Sequence, residues 1–412
     1  MWNSPARPSL AALALLAAGS AACSPGDPPV IWEYDPYEGE AYPDRRTPLE
    51  IPEGGVGFVT NSYSDTLSIL ALATGETLLT VPVGRDPVSL DGPHHVAVSP
   101  SGDAVYVALS YPVVGLTGPH ASHGSSQRSG YAQKLDGHDL AVAGQVRVDT
   151  NPGDIVLSQD GKRLVTSHFD LQRALENLGD IEAARATLAV VDPTKMLLHG
   201  SAAAVRVPTC VAPHGMVLSR PDGATAYVAC YGEDSVAIVD LEGGTVTARV
   251  PVGSAAGGFG DPVYGPYSIV ASPSGELLAI GDTVSKDVRF LDTTTGAMKD
   301  GAVLSTFGAP YFPAWYPDGS KLLVPTQGPD AVVVFDMASQ TEIAHRDFTG
   351  DECILPHVAV PLPDGSFVLV CEGDHEEPGK VLWLDPDTLD TVRSATVGVY
   401  PDAIALFFGG AK

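Results

Sequence analysis

Residues 214–253, HGMVLSRPDGATAYVACYGEDSVAIVDLEGGTVTARVPVG, decide how the chain folds. They hold four runs of strand composition, partly alternating in side-chain character, broken by turns such as RPDG and EGG, which is the pattern of a four-stranded antiparallel meander. The pattern returns at 57–84, GFVTNSYSDTLSILALATGETLLTVPVG, followed by 94–108, HHVAVSPSGDAVYVA. Units of about forty to fifty residues with four strands each predict a propeller. Composition agrees, because Gly 44 and Pro 35 are high for a helical protein.

A proline followed nine residues later by a turn glycine counts the units: Pro93, Pro152, Pro266, Pro310, Pro356 and Pro401 pair with Gly102, Gly161, Gly275, Gly319, Gly365 and Gly410. Pro213 to Gly223 is one residue longer. The last unit has an innermost strand without the other three, and the first lacks only the innermost. The expected fold is therefore all-β: a seven-bladed propeller over 53–412, closed by pairing of the C-terminal strand with the N-terminal blade so that no sheet edge is left open.

FVTNSYSDTLSILALATGETLLTVPVG and VAVSPSGDAVYVA resemble the YVTN-type β-propeller repeat, a seven-bladed family of exported or surface proteins. The likeness is strong over 57–108 and 216–253, fair over 266–346 and 356–406, and weak between 110 and 205. It implies the fold and little about activity, since propellers host enzymes, binders and scaffolds alike.

Residues 1–22 carry Arg7 and the apolar run LAALALLAAGSAA, too short to span a bilayer, directly before Cys23. This resembles a bacterial lipoprotein signal, in which Cys23 becomes the lipid-modified first residue; Ser20-Ala21-Ala22 also suits ordinary signal peptidase. Ser24 resembles the residue that permits outer-membrane sorting. Residues 23–52, rich in proline and acidic side chains, form a tether. The expectation is an exported protein, lipid-anchored at the outer membrane. A net charge of -27, from 50 acidic against 23 basic residues, excludes nucleic acid as a partner.

The stretches 210–230, CVAPHGMVLSRPDGATAYVAC, and 353–371, CILPHVAVPLPDGSFVLVC, share a C-x-x-P-H opening and a closing cysteine. Hairpin pairing about each P-D-G turn brings Cys210 toward Cys230 and Cys353 toward Cys371. Export permits disulfides, and the fifth cysteine is then Cys23. The alternative is thiolate ligation with the neighbouring histidine.

In a propeller, the loops joining strands one and two, and three and four, share one face. These are read as short throughout, whereas insertions at 110–135, 168–187, 254–265 and 372–379 fall on the other face, where function is expected. On that face the residue after each marker proline opens an innermost strand: His94, Gly153, His214, Tyr267, Tyr311, His357 and Asp402. One reading is a small-ligand or transition-metal site with His94, His214 and His357 as ligands, and His95, His168 and Glu372 at its edge. The other is that these groups line a water-filled channel, so that substituting any one hardly alters folding. His120, His123 and His138 form a loose cluster expected to be solvated, and Asp65, Asp234, Asp287 and Asp330 are expected to hold turns. There is no G-x-S-x-G, H-E-x-x-H, C-x-x-C-H or phosphate loop. No catalytic residue is expected. The leading function is a non-catalytic binding protein for a protein, glycan or envelope component, and the alternative a metal- or cofactor-binding, oxidoreductase-like propeller.

Overall fold

The computed structural model describes residues 48–85, 87–116, 122–198, 203–255 and 259–409. The signal, most of the tether, Cys23 and His120 lie outside these residues. Among the described residues there are seven antiparallel sheets, and each marker proline begins or ends the first stretch of an innermost strand. Blade I joins Pro401–Phe407 to Val56–Asn61, with Ile404 opposite Val59 and Phe407 opposite Val56. The expected closure is present.

Strand position sets burial. The second strand Ala104–Leu109 is buried at every residue, because both faces pack on neighbouring blades, whereas the outermost Thr77–Pro82 buries one residue of six. The core is accordingly a series of apolar layers between sheets, supplied by the Val, Ile and Leu runs that identified the strands. Closure also fixes a turn: Gly102 has φ +74°, and a Cβ there would lie 2.2 Å from the ring of Phe407. Only glycine satisfies both the left-handed backbone and that approach.

Most insertions lie on the expected face. The one at 168–187 forms two short helices, Leu171–Glu176 and Ile181–Ala184, capped by the side chains of Asp170 and Asp180. One expectation is corrected: on the face that was read as uniformly short, Ala186–Val191 and Val205–Cys210 are not joined by a tight turn, and the described residues between them include a 3-10 turn at Pro193–Lys195. The sequence there lacks the marker spacing and falls in the span where the repeat is weakest.

Both disulfides form, with Cα separations of 5.8 Å for Cys210–Cys230 and 5.2 Å for Cys353–Cys371. They differ in what they join. Cys353 lies in the crossover entering its own blade, but Cys210 ends the outermost strand of blade III, so its bridge staples blade III to blade IV.

Candidate functional site

The marker prolines are followed by β-bulges. Pro93 pairs with Leu109 and Val96 with Val107, so His94 and His95 together face one residue of the second strand. The same slip follows Pro152, Pro213, Pro266 and Pro356, and Pro401 through the pairing with blade I. A bulge re-aims side chains that strict alternation would send to opposite faces. That is how the adjacent His94 and His95 both reach the axis, with Asp154 entering from the next blade.

The result is a buried cluster. His94, His214, His357, Tyr267 and Asp402 have no exposed surface, and Tyr311 is 1% exposed. The ring of His94 accepts or donates on both sides: Nδ1 lies 3.0 Å from the carbonyl oxygen of Pro152, and Nε2 lies 3.1 Å from Oδ2 of Asp402. A carbonyl can only accept, so Nδ1 carries a proton and a shared proton or cation must sit between Nε2 and the carboxylate. His123 stacks on His94 at 4.1 Å and points its Nε2 at the same Oδ2, 3.3 Å away. His357 approaches from the other side, its Nδ1 2.8 Å from the Asp402 carbonyl and 3.1 Å from Oδ1. Burial pulls the His357 pKa down, but the charge of Glu372 and the bonds to Asp402 outweigh it and raise the ring above its usual value. His95 takes a separate partner: its Nδ1 is 2.8 Å from Asp154, whose other oxygen accepts the backbone N–H of Met216.

An aromatic side chain packs against the cluster. Blade VI interrupts its innermost strand between Ala309–Pro310 and Ala314–Trp315, and Phe312 instead exchanges backbone bonds with His357 and Ala359 of blade VII. Pro310 and Pro313 deny that stretch an unbroken ladder. Phe312 thereby lies within 5.2 to 6.1 Å, centroid to centroid, of His95, His214, His357 and Tyr267. Phe169 packs on His214 and Tyr267 from the side. The polar ring is thus an interior, and the expectation that substituting its members hardly alters folding is withdrawn.

Above the cluster the loop-bearing face opens into a cleft of about 670 Å³, lined in part by Tyr63, Tyr311, Gln327, Glu372, His375 and Tyr400. Glu372 connects the two levels. Its Oε2 lies 2.8 Å from Nε2 of His375 in the cleft, while Oε1 accepts from Gln327 and lies 3.6 Å from His357. Burial, reinforced by the carboxylate charges, holds the hydroxyls of Tyr311, Tyr400 and Tyr267 well above the usual phenol range.

Sequence reasoning assigned some residues to other places. His123 was read as solvated, but it is fully buried and faces Asp402; only its position in an inserted loop of the functional face could have marked it. His138 is exposed on the short-turn face. His168 lies inside blade III, accepting from the N–H of Asp149 and donating to the carbonyl of Thr187, and burial lowers its pKa. Asp65, Asp234 and Asp330 do more than hold turns: they accept N–H bonds from Gly92, Gly265 and Leu355, the residues just ahead of the next blade's marker proline. Asp287 instead pairs with Arg289.

No family model matches the chain, and no curated protein matches it in sequence. Solved structures do. A periplasmic gluconolactonase of Pseudomonas aeruginosa is 18% identical, over 85% of this chain and 98% of that one, with a TM-score of 0.62. A candidate 6-phosphogluconolactonase of Bacteroides fragilis is 14% identical over 87% and 99%, with a TM-score of 0.61. A dihydro-haem d1 dehydrogenase is 15% identical over 88% and 77%, with a TM-score of 0.55. The shared feature is the propeller. At these identities the likeness carries the fold alone.

Proposed function

We propose that this chain is an exported, non-catalytic binding propeller that receives a protein, glycan or other envelope component on its loop-bearing face. The observation that carries the reading is the cleft of about 670 Å³ on that face, with tyrosine rings on its walls. Aromatic rings supply contact area at low entropic cost, and Glu372, Asp374 and Glu376 make the cleft acidic, in keeping with the net charge of -27. A neutral or basic partner fits that field. Export is supported by the two disulfides, by the apolar run before Cys23, and by the periplasmic gluconolactonase among proteins of the same fold. Attachment at Cys23 and sorting to the outer membrane belong to the same proposal.

The mature protein, assayed against gluconolactone, is expected to give no hydrolysis above buffer. Turnover that disappears in Glu372→Gln would replace the binding reading with an enzymatic one. In cells, Cys23→Ala is expected to abolish lipid labelling and release the protein from the membrane fraction; membrane association unchanged by that substitution would remove the anchor. A second reading, a metalloprotein with a transition ion on the axis, is favoured by the convergence of His94, His95 and His214, whose ligating atoms lie within 4.8 Å of one another.

A further inference from the structure

We infer that the ligands of such an ion are His94, His95 and His214, with Asp154 as the carboxylate behind His95, and that His357 and His123 belong to a separate, proton-sharing half of the cluster. The inference rests on the metalloprotein reading and specifies its ligand set and ion class.

Ring arrangement separates the two halves. In a tetrahedral site with metal–nitrogen bonds of about 2.0–2.1 Å, the ligating nitrogens stand about 3.3 Å apart and the imidazole centroids about 5 Å apart, with rings splayed so that their lone pairs converge. The centroids of His94, His95 and His214 are 4.7, 5.6 and 5.6 Å apart, at interplanar angles of 66°, 69° and 84°. These values bracket the tetrahedral spacing. His94 and His123, by contrast, are stacked within 9° of parallel, so their lone pairs run side by side and cannot converge on one ion. An ion on Nε2 of His94 takes the place of the proton between that ring and Asp402, and the Asp402 oxygen keeps His123, 3.3 Å away, as its proton-sharing partner.

The partners of the rings support the first set. Asp154, 2.8 Å from Nδ1 of His95, fixes the tautomer that turns Nε2 inward, and this Nε2 is buried with no hydrogen-bond partner on a residue 5% exposed. A carboxylate on the far nitrogen is the usual support of a metal-bound imidazole. The Pro152 carbonyl does the same for His94. An all-imidazole set selects Zn²⁺, Cu²⁺ or Co²⁺ over Mg²⁺ or Ca²⁺, and three protein ligands leave a position for an exogenous one.

The test uses protein purified without affinity-tag metals and refolded with Zn²⁺, Cu²⁺ or Co²⁺, then dialysed and analysed for metal. About one equivalent is expected, with the visible spectrum of tetrahedral Co²⁺. His95→Gln and His214→Gln are expected to lose the ion, and Asp154→Asn to weaken binding about 10- to 100-fold. His357→Gln and His123→Gln are expected to keep it. Circular dichroism identifies variants that retain the fold; Asp154→Asn, which leaves the three imidazoles in place, decides the matter if the histidine variants do not. Wild-type protein that binds none of the three ions ends the metalloprotein reading itself. An ion that is retained by His95→Gln or unaffected by Asp154→Asn, or that is lost in His357→Gln, leaves that reading standing and overturns this ligand set.

Discussion

On the short-turn face, Asp292, Asp318, Asp336 and Asp385 each accept backbone N–H bonds from residues two or three positions ahead, and those bonds hold their carboxyls below the usual range. On the loop-bearing side Asp65 is half-buried and Asp282 has no exposed surface. Desolvation pushes Asp65 up to about 6 despite its bonds from Asp91 and Gly92, and Asp282, beside Asp287 and Arg289, lies well above the carboxylate range. The contrast is one of solvent. A carboxylate in a surface turn keeps its hydration while it orders the backbone, whereas a buried one depends on a proton or a cation. The two sets therefore respond to acid in opposite senses. The turn aspartates contribute stability above their unfolded pKa that is lost as pH falls through their lowered folded values. Asp65 contributes stability below its unfolded pKa that is lost as pH rises through about 6.

The largest test of that contrast is Asp402→Ala. It leaves His94, His123 and His357 facing one another without the carboxylate, and urea unfolding should show a loss of about 3–5 kcal/mol. A loss below about 1 kcal/mol would mean that the buried cluster is no more demanding than a surface turn. Next come the disulfides, both on the loop-bearing side. Each closes a short loop, so reduction should cost about 3 kcal/mol per bridge, and thiol titration of the denatured, unreduced mature protein should find none free. Two reactive thiols per chain would show that one bridge does not form.

A smaller effect compares two buried histidines by NMR titration. His357 should remain protonated above the ordinary imidazole pKa, its stabilising contribution present below about 6.5 and lost as pH rises through the raised folded value. His168 should stay neutral, its contribution present above about 6.5 and lost as pH falls toward the lowered folded value. Glu372→Gln should lower His357 and leave His168 unmoved; a shift in both would point to a general change in burial. The smallest effect is expected for Asp318→Ala in an exposed turn, with a urea midpoint only slightly below that of the wild type at neutral pH.

The blades were legible because strand composition, turn residues and the proline-to-glycine spacing repeat, and each reports a local backbone requirement. The axial residues were legible through their place after the prolines. What spacing could not convey was the bulge, which depends on pairing with a second strand and which turns both His94 and His95 inward. Nor could it show that blade VI breaks its strand at Phe312 to stop the axis, although Pro310 and Pro313 mark the place. His123 arrives on a loop whose path has no repeat to follow.

Asp402, the carboxylate shared by the axial histidines, is carried on Pro401–Phe407, the C-terminal strand of the described residues, although it completes the first blade. Until that strand docks, His94, His123 and His357 lack the carboxylate they share. Closing the ring and giving the axial histidines their carboxylate are therefore one event. With that strand undocked, the propeller has both an open sheet edge and histidines without their carboxylate; docking it removes the two together.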